Sequence, residues 1–189
     1  MLRLHQALPL LIAIAAAPGS SAWADDKSEA DQLSKEAIGF AQKGDFDNAL
    51  QRYERALELD PGVKRHCNVG SAHFQLDQWA QAHLFLGLCL AHTGELDASF
   101  VEQLSKAYAF ADRKLRQGDF ALVDMKTSPG GGEILLQSLS KVARFTAPRR
   151  VWLPLGQHSF VATHPEYERQ VGTFDVRSKG ERDNEIEFR

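Results

Sequence analysis

The chain has no excess of positive charge: among its 189 residues, 22 Lys and Arg face 25 Asp and Glu. These charges are dispersed rather than clustered, which argues against steering of a polyanion, and nucleic acid is excluded as an expected partner. Beyond residue 24 no apolar run approaches the ~20 residues needed to cross a bilayer, so no transmembrane segment is expected there. Only two cysteines occur, Cys67 and Cys89, and neither lies near residue 24, which argues against a lipid anchor at that point. The stretch Ser128-Pro129-Gly130-Gly131-Gly132-Glu133 lacks the Gly-Lys-Ser or Gly-Lys-Thr ending of a phosphate loop. A carboxylate at Glu133 would repel phosphate, so the stretch reads as a corner between strands.

What is present begins with an export signal. The opening MLRLHQALPLLIAIAAAPGSSAWADD places Arg3 before an apolar core from Leu8 to Ala17, and Ala22-Trp23-Ala24 before Asp25-Asp26. That is the order of a cleavable secretory signal. Residues 1–24 are assigned to a signal peptide, and a periplasmic or secreted location follows. The rest of the chain then carries a net charge of −4, from 21 bases and 25 acids.

Residues 25–118 have helical periodicity. FDNALQRYERALEL sets Phe46, Ala49, Leu50, Tyr53, Ala56 and Leu57 at three-and-four spacing, one apolar stripe on a helix. Shifted by 33 residues the stripe returns: Ala37 falls on Gly70, Phe46 on Trp79, Ala49 on Ala82, Tyr53 on Leu86 and Leu57 on Leu90. This is an internal repeat. Small residues at Ala37, Ala49, Ala56, Gly70 and Ala82 allow antiparallel helices to approach closely, and Asp60-Pro61 stops the second helix. A fifth helix is expected to start at a capping box of Ser99 and Glu102 and to stop at Gly118, closing the array as a polar-faced cap.

After Gly118 the period changes to two. Ala121, Val123 and Met125 alternate with Leu122, Asp124 and Lys126; Phe160 pairs with Ala162, Phe174 with Val176, and Ile186 with Phe188. Short antiparallel strands are predicted, building a small sandwich or barrel. ILLQSLSKVARF stays open between strand and helix, because Leu135, Leu139 and Val142 also share a helical face. The fold class is α+β in two domains, residues 25–118 and 119–189.

Ala37, Phe40, Gly44, Phe46, Ala49, Tyr53, Ala56 and Pro61 stand as in the tetratricopeptide repeat, which residues 30–94 resemble. Ser128-Pro129 with its glycines, Thr146-Ala147-Pro148, Leu153-Pro154-Leu155-Gly156-Gln157-His158 and Glu166-Tyr167 resemble a PEGA-type domain, a small β-sandwich often found in bacterial surface proteins. The first resemblance implies a concave partner groove lined by Ser34, Ile38, Gln42, Lys64, Ser71, Phe74 and Gln75. The pair together implies a non-enzymatic adaptor in the cell envelope that binds a protein or peptide segment. The alternative is a cell-wall glycan-binding protein acting through the β half.

Chemistry-bearing residues are few. Cys67 and Cys89 lie at similar distances from the turn near Asp77-Gln78, so an antiparallel hairpin brings them to one height, and an oxidising compartment favours a disulfide. The competing reading gives His66, Cys67, Cys89 and His92 to zinc, but adjacent His and Cys side chains point about 100° apart on a helix. His158 and His164 have no serine or cysteine partner visible in the sequence, and no catalytic constellation, cofactor or metal is expected. Arg149, Arg150 and Trp152 form a candidate surface patch for glycan or an anionic headgroup, weighed against a core position for Trp152.

Overall fold

In the computed structural model of the protein, residues 20–187 are described. They form five α-helices, α1 (Ser20–Ala41), α2 (Phe46–Leu59), α3 (Val63–Gln75), α4 (Trp79–Leu90) and α5 (Ala98–Gln117). Seven strands follow: β1 (Phe120–Ser128), β2 (Glu133–Leu135), β3 (Arg144–Thr146), β4 (Arg149–Pro154), β5 (Gly156–His164), β6 (Tyr167–Val176) and β7 (Gly180–Glu187). The class is α+β. The signal peptide assigned to residues 1–24 lies outside the described residues except for its last five, which run unbroken into α1.

The 33-residue repeat is a repeat of backbone geometry. Asp45 caps α2 at φ −87°, ψ 72°, and Gln78, 33 positions on, precedes α4 at φ −83°, ψ 71°. The residue before each cap lies in the left-handed region, Gly44 at φ 76° and Asp77 at φ 57°. Asp tolerates that region better than most side chains, so the turn survives the loss of glycine. The small residues sit at the helix crossings: Ala37, Ala49 and Ala82 are fully buried, and a Cβ on Gly70 would lie 2.8 Å from the Leu86 backbone nitrogen. α5 starts two residues earlier than the capping box predicts. Asp97 is the cap and accepts from the Ser99 N–H at 2.9 Å and from the Ser99 hydroxyl, so Ser99 donates to a cap instead of being one. Gly118 ends the helix, its N–H bonding the Lys114 and Leu115 carbonyls.

The strands make two sheets, ordered β4-β1-β7 and β3-β2-β5-β6. β1 alternates as its pattern requires, with Ala121, Val123, Met125 and Thr127 buried on one face. One pairing departs from the antiparallel expectation: β7 lies parallel to β1, Thr127 opposite Ile186. The glycine stretch is the corner where the chain passes from the first sheet to the second. Gly131 has φ 86°, and the Gly132 N–H donates to Thr127 Oγ1 at 3.1 Å. No helix follows it.

ILLQSLSKVARF is neither a helix nor one strand. β2 and β3 bracket a looped segment whose Leu136, Leu139 and Val142 are buried. The anchors are cross-unit bonds: the Ser140 hydroxyl to Glu54 at 2.8 Å, and Gln81 Nε2 to the Leu139 carbonyl at 3.2 Å. One continuous cluster of buried side chains therefore runs from Ala37 and Phe85 through Leu115 to Met125 and Ile186.

Candidate functional site

Cys67 on α3 and Cys89 on α4 are joined, with Cα atoms 5.0 Å apart. Both sulfurs are spent in the bond, which leaves no thiolate for zinc beside His66 and His92, and no cluster of metal-ligating side chains occurs among the described residues.

The seven residues assigned to the groove do not share one environment. Ser71 and Gln75 line a hollow of about 170 Å³ with Ala41, Phe46, Tyr53, Asn68 and Ala72. Ile38 is 46% exposed, and Gln42 and Lys64 are exposed as well. Ser34 is committed internally: its hydroxyl donates to the Ala30 carbonyl at 2.8 Å and accepts from Arg65 at 3.0 Å. Arg65, missed by sequence reasoning, also reaches the Asp60 and Ala30 carbonyls and the Asp31 and Asp60 carboxylates, tying α1 to the start of α3. Its partners lie up to 35 residues away, with no local pattern to betray them.

Phe74 is half-buried in a cluster that the groove assignment did not contain. Its ring meets Trp79 at 5.5 Å and Phe110 at 5.7 Å, and Trp79 meets Phe110 at 5.5 Å. The edge-on and tilted arrangements suit the ring quadrupoles. Lys114 Nζ lies 5.4 Å from the Phe110 ring and 5.9 Å from Trp79, and the Arg113 guanidinium lies 5.5 Å from Phe110. Phe110 remains 36% exposed. The outcome is an aromatic surface spanning α3, α4 and α5, rimmed by two cations. The signal available for Phe110 and Trp79 was their helical spacing, which also fits burial.

The patch at Arg149, Arg150 and Trp152 divides. Trp152 is 7% exposed and donates from Nε1 to Asp112 of α5 at 3.1 Å, with the Arg116 guanidinium 5.6 Å from its ring. It sits opposite Leu122, in the seam between the first sheet and α5, and so neither in the sandwich interior nor on the surface. Its ring is closed to a ligand. Arg150 pairs in register with Asp124 on the same face as Trp152. Arg149 lies elsewhere, at the wall of a cleft between helices and strands.

The histidines are mostly structural. His73 and His83 are buried, and burial pushes each ring down to about 4, so both are neutral at pH 7. His73 stacks on Phe85 at 5.4 Å and shares a hydrogen with Gln78 Oε1 at 2.6 Å. His158, for which the sequence offered no partner, has Ser138 Oγ 3.0 Å from Nδ1 and the Pro154 carbonyl 2.9 Å from Nε2. The ring is 3% exposed, and the contact fastens the β2–β3 connection to the start of β5. Comparison with known proteins returns no match, whether with family models, curated proteins or solved structures.

Proposed function

We propose that the chain is an exported, non-enzymatic adaptor of the cell envelope, built from tetratricopeptide-type hairpins with α5 as capping helix and a PEGA-type sandwich. The observation that carries the reading is the half-exposed Phe74, Trp79 and Phe110 surface with Arg113 and Lys114 at its rim. Aromatic anchors beside cations suit a protein segment that offers an apolar side chain with acidic neighbours. The duplicated turn geometry and the close-packed Ala and Gly positions favour the helical-repeat assignment. The signal-like opening and the Cys67–Cys89 bridge favour an oxidising compartment. A glycan-binding role through Arg149, Arg150 and Trp152 is the weaker alternative, because the tryptophan offers no free face for stacking.

The test is affinity capture of envelope proteins on the oxidised full-length protein and on Phe74→Ala. Loss of a reproducible partner, with an unchanged thermal melt, is expected; every partner retained would refute the assignment of this surface.

A further inference from the structure

A cleft of about 470 Å³ opens where the helical array meets the strands, away from the aromatic surface. Its apolar wall is Leu57, Pro61, Leu88, Val142 and Phe145. Its charges are unevenly matched. Lys141 lies 3.6 Å from Glu58 and 3.7 Å from Glu54, and Arg144 is paired with Glu133. Arg149 has no such partner among the described residues: its Nε is buried and unbonded, and the half-buried side chain shares the lining with His66 and His92 and lies near the Tyr108 hydroxyl. A half-buried guanidinium beside the His66 ring, with no carboxylate paired to it, leaves one positive charge uncompensated at this wall of the cleft.

We propose that this cleft binds a monoanionic carboxylate carried on a small apolar body, with Arg149 gripping the carboxylate and Leu57, Leu88, Val142 and Phe145 enclosing the body. The volume falls in the range of small-ligand sites, and the planar guanidinium fork matches a carboxylate. With Glu58 and Glu133 paired to Lys141 and Arg144, Arg149 is left as one net positive charge on the lining, which matches a monoanion, and the apolar wall gives nothing to inorganic phosphate. Two sources share this chemistry, the free C-terminus of a peptide and a small aliphatic acid. The disulfide bears on the site as well. His66 adjoins Cys67 on α3, and His92 follows Cys89 by three residues, just past the end of α4, so the bridge holds together the two segments that carry these rings.

Proton linkage follows from the same geometry. Burial, then Arg149 and His92, hold the His66 ring below its usual range, against the pull of the Gly62 carbonyl. The other charges on the lining, Glu58, Glu133, Lys141 and Arg144, are paired. A bound carboxylate cancels the repulsion from Arg149, raises the affinity of His66 for a proton, and so binds more tightly as pH falls through and below the usual imidazole range.

The experiment is calorimetric titration of the oxidised full-length protein with acetyl-Ala-Leu, its C-terminal amide, octanoate and inorganic phosphate, with the Arg149 Nε–H followed by NMR. The free acid or octanoate is expected to saturate and to shift the Nε–H signal, the amide and phosphate to fail. Arg149→Gln should weaken binding at least about tenfold, with Arg149→Lys intermediate. Whichever acid binds better identifies the source. Binding of the amide equal to that of the acid, a response to phosphate alone, or no shift of the Nε–H with any probe overturns the proposal. The Nε–H readout needs no variant, so misfolding of Arg149→Gln does not shield it.

Discussion

His73 and His83 make the fold acid-sensitive. Each ring titrates near 4 when folded, because burial disfavours its charged form, and near 6.5 when unfolded. The unfolded chain thus binds more protons between those values, and stability falls as pH drops from 6.5 toward 4, on the order of 3 kcal/mol per ring at full extent. His73→Phe should keep the stack on Phe85 and reduce that loss in urea titrations at pH 4.5 against pH 7; an identical loss would refute the assignment. His73 stands 33 positions after Phe40, an aromatic residue in the first hairpin, and the ring does pack as one. Arg65 was not legible, since what buries it is a set of carbonyls and carboxylates assembled only when α1 meets α3. Asp77 holds a left-handed turn that glycine holds in the first hairpin. Asp77→Gly should therefore raise the unfolding free energy by up to about 1 kcal/mol, measured by chemical denaturation, and a decrease would argue against strain at that turn.

At the scale of helices and strands, the repeat was legible because three-and-four spacing, small residues and the 33-residue offset all agree. Gly70 is the sharpest case: a methyl group there meets the Leu86 backbone and side chain at 2.8 to 3.0 Å, so Gly70→Ala must pry α3 from α4. A loss of about 1–3 kcal/mol is expected, and an unchanged melting temperature would mean that the crossing is looser than the geometry shows. The bridge between the same helices closes a loop of 22 residues, worth about 3 kcal/mol in the chain-entropy account. Cys67→Ala with Cys89→Ala should shift the urea midpoint accordingly, and an unmoved midpoint would contradict it. The strand half was less legible. Alternation shows which face of β1 is buried, but not that β7 pairs with it in parallel, because partner choice depends on the corner at Gly131 and on residues 136–142 docking onto the helices.

Over the whole molecule, the composition shift at Gly118 marks a change of secondary structure while the core passes through it unbroken. Trp152 meets α5 across that change, a burial that two-residue alternation cannot reveal, and it is why Trp152 is lost as a surface candidate. Helical and strand amides should accordingly open in one global step, seen as equal exchange free energies at Phe85 and Val123; a separate, lower opening for the strands would contradict the shared core. The central claim, that the aromatic face of α3, α4 and α5 holds a protein segment in the envelope, is tested most directly by a photo-crosslinking residue placed at Phe110 in intact cells, with exposed Asp47 on α2 as control. The account predicts a discrete adduct from position 110, lost with Phe74→Ala and absent from position 47. No adduct at 110, or the same adducts from both positions, would contradict it.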